Sequence, residues 1–137
     1  MGNHLISYSC ATFIGKRKNN QDNLAVDGSA PFVSNNFNYS DARSCPAREA
    51  HLFAVSDGIG GLGDSADISR NTVEILCREF AAVTAQTDLS VWIRETLDLA
   101  DAEARRISAE CGTSGGTTAT VAVADTTAAP STAFINE

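Results

Sequence analysis

The sequence predicts a mixed α+β domain in which strands come before and after a pair of consecutive helices. Two observations indicate this class. Short runs of β-branched, aromatic and other apolar residues, separated by polar turns, occupy the first 57 residues and are typical of strands. Two apolar stripes of helical period then follow one another between about 65 and 112, with no strand pattern between them.

The N-terminal part predicts three strands. Residues 4–14, HLISYSCATFI, mix β-branched and aromatic residues with small polar ones and have no helical period. Residues 24–27, LAVD, continue in an extended conformation after the polar turn KRKNNQDN. We interpret 28–50, which holds two prolines and many Asn and Ser residues, as a surface excursion. Residues 50–57, AHLFAVSD, form an apolar run that predicts a strand buried on both faces.

The following residues predict two helices and two further strands. A first helix over about 65–85 is indicated by apolar residues at helical spacing: Val73, Leu76, Cys77, Phe80 and Ala81. A second helix begins after Asp88, a good N-cap residue, carries solvated charges on its outer side, and stops at Gly112. Residues 115–125 alternate and predict a strand, and a turn at Pro130 precedes the start of another.

Composition and charge indicate one folded domain over residues 1–137. The hydrophobic fraction of 43% and the charged fraction of 20% are ordinary for a globular protein. A net charge of −7 with only ten Lys and Arg residues argues against a nucleic-acid partner. Because the first residues lack a secretory signal and no run approaches the ~20 apolar residues of a membrane span, we expect a cytoplasmic protein with no membrane partner.

The four cysteines lie more than thirty residues apart and form no C-x-x-C pair. No nearby histidine completes a zinc site in the sequence pattern. We therefore interpret Cys10, Cys45, Cys77 and Cys111 as buried thiols.

The glycine-rich stretch FAVSDGIGGLGD at 53–64 is compatible with two chemistries. Its glycines satisfy G-x-G-x-x-G between a strand and a helix, the context of a dinucleotide-binding fingerprint. However, the carboxylate of Asp57 would lie next to the pyrophosphate, and a second helix follows where a parallel strand is required. A metal site instead uses Asp57, because a carboxylate at the end of a rigid strand offers hard oxygen ligands to Mg²⁺ or Mn²⁺.

A second polar cluster complements Asp57. The turn RKNNQD at 17–22 supplies Asp22 as a further ligand or as the holder of a metal-coordinated water. Arg17 in the same turn could bind a phosphate in bidentate fashion.

Three motifs in this order resemble the metal-dependent PPM (type 2C) serine/threonine protein phosphatases, in their bacterial style. They are RKNNQD at 17–22, FAVSDGIGG at 53–61 and GGTTA at 115–119. The spacing from Asp57 to Ser69 also matches the family's D-G-x-G-G-x(7)-S pattern. The resemblance implies a four-layer α-β-β-α sandwich of two antiparallel sheets flanked by helix pairs, of which this chain supplies a part.

The resemblance also implies roles for individual residues. Asp57 would bridge two divalent ions, Mn²⁺ or Mg²⁺, and Gly58 would donate its backbone carbonyl to one of them. Asp22 would orient metal-coordinated water, and Arg17 would bind the substrate phosphate. The implied reaction is hydrolysis of phosphoserine or phosphothreonine in proteins by water that two metal ions activate, which makes a phosphorylated protein the substrate and a Ser/Thr kinase a partner.

The chain departs from the family pattern at several positions. Gln21 stands where some members carry a metal-binding glutamate, Ser65-Ala66 replaces the usual Gly-Glu before the helix, and Ile68 replaces a small residue. The later aspartate-containing motifs of the family have no counterpart in the sequence, so we expect an N-terminal part of a phosphatase domain, truncated at its C-terminus. A catalytically silent, phosphatase-like binding module is the alternative hypothesis.

Overall fold

The computed structural model describes residues 5–30, 38–46, 50–59, 63–126 and 131–136 of the chain. The strands in these ranges are β1 (Leu5–Thr12), β2 (Asp22–Val26), β3 (Tyr39–Pro46), β4 (Ala50–Asp57), β5 (Thr120–Asp125) and β6 (Ser131–Asn136). The helices are α1 (Ser65–Phe80) and α2 (Leu89–Cys111), and both lie between β4 and β5 in the chain. Neither of these helices is long and apolar enough to cross a membrane.

Two antiparallel sheets organise the described residues. Strands β1 and β3 form a two-stranded sheet, and a four-stranded sheet has the order β2-β4-β5-β6. Every pair of neighbouring strands is antiparallel. The structure therefore confirms the predicted α+β class with antiparallel sheets. The described strands contain no parallel pair, which a dinucleotide-binding βαβ unit would require.

Both helices contribute to the core on one face of the four-stranded sheet. The core cluster joins the sheet to α1 and α2 and consists of Ala25, Leu52, Ala54, Val73, Leu76, Ile93, Val121 and Val123. Beside it, Phe80 and Trp92 pack edge to face with ring centroids 5.8 Å apart. Each fully buried Leu or Ile contributes about 1.5–3 kcal/mol, so this layer contact supplies much of the stability.

The two-stranded sheet lies on the opposite face of the larger sheet. Phe53 alternates with the core residues of β4 and therefore points away from the helices. Its ring contacts Tyr8 of β1, with centroids 5.4 Å apart. Residues of β1, β2, β4 and β5 line a cavity of about 490 Å³ between the sheets. The described residues thus form three layers, α-β-β, of the predicted four-layer sandwich.

The second helix has the caps that its sequence predicts. The Asp88 carboxylate accepts hydrogen bonds from the N–H groups of Ser90 and Val91 at 3.0 and 3.1 Å. Gly112 follows the helix in a left-handed conformation with φ of 65°, which favours glycine. The charged outer side of α2 is exposed, as predicted.

The prediction of a surface excursion over 28–50 is wrong for Tyr39–Pro46, which form strand β3. Its sequence YSDARSCP is rich in polar and charged residues and has little intrinsic strand preference. The strand forms by pairing along its whole length with β1, from Leu5 opposite Pro46 to Thr12 opposite Tyr39. Residues 31–37 and 47–49 of that predicted excursion lie outside the described residues.

The bounds of helix α1 and strand β5 also differ from the prediction. Helix α1 ends at Phe80 and does not reach residue 85. The hydroxyl of Thr87 instead accepts from the Thr84 N–H at 2.9 Å, a local side-chain bond that competes with the helical pattern. Strand β5 begins at Thr120 and not at residue 115, because residues 115–118 contact the end of β4.

Candidate active site

Asp22 and Asp57 lie directly opposite each other on neighbouring strands. Asp22 is the first residue of β2 and Asp57 is the last residue of β4, so antiparallel pairing brings both carboxylates to one end of the sheet. Side chains alternate along a strand, and Ala25 and Ala54 belong to the core on the helix side. Asp22 and Asp57 therefore both project from the face opposite the helices.

Ser69 of α1 ties these two strands together beside the carboxylates. Its hydroxyl donates to the Ser56 carbonyl at 3.0 Å and accepts from Asn23 Nδ2 at 2.9 Å. Ser69 and Ser56 are fully buried, and Asn23 is 4% exposed. Since Asn23 follows Asp22 and Ser56 precedes Asp57, one hydroxyl on the helix fixes the relative position of both acidic residues.

The loop 115–118 closes the end of β4. The Thr118 N–H donates to the Asp57 carbonyl at 2.9 Å. The Thr117 hydroxyl donates to the same carbonyl at 2.8 Å. These two bonds hold the backbone of Asp57, so the loop that carries the GGTTA motif helps to set the position of the carboxylate.

Two glycines allow the motif segments to approach closely. A Cβ at Gly58 would lie 2.7 Å from the Ser65 carbonyl oxygen, and a Cβ at Gly116 would lie 2.9 Å from Ile59 Cδ1. The Ile59 N–H also donates to the Gly116 carbonyl at 2.9 Å. A larger residue at Gly58 would push the strand end and the helix start apart, whereas one at Gly116 would displace the end of the Ile59 side chain.

Asp64 is a buried carboxylate that the sequence analysis did not identify. It is 3% exposed and accepts hydrogen bonds from the hydroxyls of Thr113 at 2.5 Å and Ser108 at 2.9 Å. The hydrogen bond from Thr113 has the largest effect and lowers the pKa of Asp64 below its ordinary value. Burial acts in the opposite direction, and the bond from Ser108 lowers the pKa further. Asp64 occupies the N-cap position of α1 but makes no capping bond with its side chain. Its carboxylate instead connects the start of α1 to the end of α2.

A buried asparagine fixes the turn that carries Arg17. Asn20 is 5% exposed, and its side-chain amide donates to the Thr12 hydroxyl at 2.9 Å. Its side-chain oxygen accepts from the Asp22 N–H at 3.1 Å. The Arg17 N–H donates to the Ile14 carbonyl at 3.2 Å, which closes the preceding turn. The positions of Arg17 and Asp22 are thereby set relative to β1.

One cleft of about 610 Å³ brings together all four residues that the sequence analysis proposed for the site: Arg17, Asp22, Asp57 and Gly58. Lys18 and Gln21 also line this cleft. Within the described ranges, Arg17 has no carboxylate within ion-pair distance. Its guanidinium is therefore available to an anionic ligand in the cleft.

The carboxylate of Asp57 affects the ionisation of Asp22. Burial raises the pKa of Asp22 above its ordinary value, and the neighbouring carboxylate of Asp57 raises it further through a hydrogen bond and through repulsion. A divalent cation between the two groups would offset this repulsion and favour the ionised form of Asp22. The donor set, two carboxylates with a nearby backbone carbonyl, suits the hard ions Mg²⁺ and Mn²⁺.

No protein-family model, curated protein or solved structure matches the chain. A relationship to the PPM phosphatases therefore stays a prediction from the three sequence motifs. The described residues of the three motifs meet at one end of the larger sheet. Gly60 and Gly61 of the second motif lie outside the described residues.

A second group of ligand-type side chains lies at the opposite ends of β2 and β4. Asp27, Cys45 and His51 offer ligand atoms that all lie within 4.8 Å of one another. This group was not predicted, because its residues come from three separate parts of the sequence and Cys45 is separated from His51 by five positions. The prediction of four buried thiols is also wrong, because Cys111 is exposed and the other three cysteines are half-buried.

Proposed function

We propose that the chain is a metal-dependent phosphatase domain that hydrolyses phosphoserine or phosphothreonine in proteins. The observation that carries this proposal is the juxtaposition of Asp22, Asp57 and Arg17 in one cleft. Carboxylates bind cations, and a nearby guanidinium binds a phosphate. The combination suits a phosphate ester bound beside divalent metal ions.

The carboxylates of Asp22 and Asp57, together with the Gly58 carbonyl, would hold two Mn²⁺ or Mg²⁺ ions. The ions, when bound, supply Lewis-acid activation of water and neutralise charge on the phosphoryl oxygens. The protein itself holds the metal-binding side chains in position in the absence of an ion. The hydroxyl of Ser69 and the loop 115–118 do this by restraining β2 and β4.

Arg17 would bind and orient the phosphoryl group. Its planar guanidinium matches two phosphate oxygens, and charge-assisted hydrogen bonds of this kind contribute about 1.5–3 kcal/mol each. Lys18 lines the same cleft and adds a second positive charge. In this proposal the substrate is a phosphorylated protein, and a Ser/Thr kinase is the class of enzyme that produces it.

Hydrolysis of an aryl phosphate tests this proposal. We expect turnover by the full chain in Mn²⁺ or Mg²⁺ and none in chelator. Asp57→Asn is expected to reduce kcat/KM by more than the roughly 10–100-fold that loss of an outer-shell partner costs. Arg17→Ala is expected to lower kcat/KM by about 10–100-fold, the equivalent of one charge-assisted hydrogen bond.

A matched control uses Asp98→Asn, which removes an exposed carboxylate on the outer side of α2. Asp98→Asn should leave the rate unchanged. Equal activity in chelator and in Mn²⁺, or a rate that Asp57→Asn does not change, would contradict the proposal.

A catalytically silent binding module is the second candidate function. It is favoured by the small number of acidic groups, since within the described ranges only Asp22 and Asp57 bring carboxylates to the cleft. Divalent ions generally require more oxygen ligands than two carboxylates supply. Calorimetry with a phosphoserine peptide separates the two candidates. A silent module binds the peptide in chelator and releases no phosphate when Mn²⁺ is added.

A further inference from the structure

The cluster of Asp27, Cys45 and His51 joins three separate parts of the fold. Asp27 directly follows β2, Cys45 lies near the end of β3, and His51 lies in β4. The carboxylate of Asp27 is central, since its Oδ1 lies 2.7 Å from His51 Nδ1 and its Oδ2 accepts from Cys45 Sγ at 3.5 Å. The cluster therefore spans the two sheets.

The cluster is largely shielded from solvent. The His51 side chain is 0% exposed and the Asp27 side chain is 17% exposed. Cys45 is half-buried. Side chains with a sulfur, a nitrogen and an oxygen donor are thus held together in a site that is only partly exposed to solvent.

We propose that Asp27, Cys45 and His51 form a binding site for one zinc ion. Thiolate, imidazole and carboxylate are the three ligand types that Zn²⁺ takes in proteins. Three protein ligands leave a fourth tetrahedral position for a water molecule or another ligand. The mixture of soft and borderline donors selects against Mg²⁺ and Mn²⁺, which prefer oxygen ligands alone.

Two distances between donor atoms can be compared with those of a tetrahedral site. Bond lengths of ~2.3 Å to sulfur and ~2.1 Å to oxygen place these two donors about 3.6 Å apart. The separation between Cys45 Sγ and Asp27 Oδ2 is 3.5 Å. Nitrogen and oxygen donors in such a site are about 3.3 Å apart, whereas His51 Nδ1 and Asp27 Oδ1 are 2.7 Å apart. The two distances involve different oxygens of Asp27, so binding of one ion requires a rotation of the Asp27 carboxylate that directs a single oxygen to it.

Binding would exchange protons for the cation. Cys45 must lose its thiol proton, and Nδ1 of His51 must present its lone pair to the ion, so any proton on Nδ1 also leaves. The hydrogen bond between His51 and Asp27 is then replaced by two bonds to the same ion. Because the ligands lie on β3, on β4 and after β2, zinc would cross-link the two sheets and stabilise the fold.

The proposed zinc site is independent of the Asp22 and Asp57 cleft. Asp22 begins β2 and Asp27 follows its last residue. Five steps of about 3.3 Å along a strand separate the two sites by roughly 16 Å. The two sites also differ in donor type, so the zinc proposal does not depend on the phosphatase proposal.

Titration of the metal-free full chain with Co²⁺ tests this inference, because cobalt replaces zinc in tetrahedral sites and its bond to a thiolate absorbs in the near ultraviolet. We expect a thiolate-to-cobalt band that saturates at one equivalent and disappears when Zn²⁺ is added. Cys45→Ser should abolish the band, and the matched control Cys111→Ser, which changes an exposed thiol, should retain it. Asp57→Asn should also retain the band.

A second variant covers the case in which Cys45→Ser does not fold, as judged by circular dichroism. Asp27→Asn keeps the shape of the side chain and the acceptor for His51 but removes the charge. It should weaken Zn²⁺ binding by at least about tenfold. Absence of the cobalt band in the unmodified chain would overturn the proposal. A band that Cys45→Ser and Asp27→Asn leave unchanged, or that Cys111→Ser removes, would do so as well.

Discussion

Replacing Ser69 with alanine is expected to destabilise the fold and to loosen the carboxylate pair. The change removes the bond to the Ser56 carbonyl at 3.0 Å and the bond from Asn23 Nδ2 at 2.9 Å. Asn23 is 4% exposed, so its amide loses this partner in a place with little water. A buried polar group left unsatisfied costs about 1–3 kcal/mol. The higher helix propensity of alanine offsets about 0.5 kcal/mol of this.

Ser65→Ala is the matched control for this prediction. Ser65 lies on the same helix and is also fully buried, but its hydroxyl has no hydrogen-bond partner among the described residues. Removing an unpaired hydroxyl should leave the stability unchanged or increase it. The two Ser→Ala variants should therefore differ by about 2 kcal/mol in free energy of unfolding, or about 8 °C in Tm for a domain of this size.

Thermal and urea unfolding of both variants in chelator measure this difference. A second measurement, Mn²⁺ binding at a temperature where both variants are folded, checks the connection to the site. Ser69→Ala should bind Mn²⁺ more weakly than Ser65→Ala, because Ser69 restrains the strands of both acidic residues. Equal Tm values for the two variants would refute the role assigned to Ser69.

Three further predictions follow from the described contacts. Gly115→Ala should lower Tm and broaden the transition, because its Cβ would collide with the buried carboxylate of Asp64; a Tm equal to that of the unmodified chain would contradict this packing. Asp22→Asn should raise Tm in chelator at pH 7, because the pKa of Asp22 is raised by burial and by Asp57. A carboxyl group whose pKa is raised by folding destabilises the fold once the pH is high enough to ionise it. The increase in Tm of Asp22→Asn over the unmodified chain should therefore disappear as the pH falls towards the ordinary value of 3.8. Burial, and then the charge of a nearby glutamate, raise the pKa of Cys77 to about 11. Iodoacetamide at pH 8 should therefore label this thiol much more slowly in the folded chain than after unfolding, as mass spectrometry would show.

The elements with strong local patterns were predictable from the sequence. The apolar run of β4, the glycines after it and the spaced apolar residues of α1 indicate a strand, a tight connection and a helix, and the structure contains all three. Helix α2 was predictable because Asp88 and Gly112 carry the cap preferences of a helix start and a helix end.

The elements that depend on tertiary contacts were not predictable in this way. Strand β3 has a polar sequence and forms through pairing with β1. The end of α1 depends on side-chain bonds of Thr84 and Thr87. The burial of Asp64 depends on hydroxyl groups 44 and 49 residues away in the chain. Such contacts leave no periodic signal in the sequence.

The residues of the candidate sites were also predictable only in part. Arg17, Asp22 and Asp57 were predictable as polar residues at strand ends and turns, and the structure places them in one cleft. The cluster of Cys45 and His51 was not predictable, because the residue between their ligand atoms, Asp27, comes from a distant turn. Spacing alone could not show that the turn after β2 brings Asp27 to Cys45 and His51.

Calorimetric titration of the metal-free chain with Mn²⁺ tests most directly whether Asp22 and Asp57 bind a divalent cation. We predict binding to the unmodified chain and to Asp98→Asn, and a large loss of affinity in Asp22→Asn and in Asp57→Asn. Cys45→Ser should bind Mn²⁺ as the unmodified chain does. Equal Mn²⁺ affinity in all five proteins, or no binding to the unmodified chain, would contradict the proposed site.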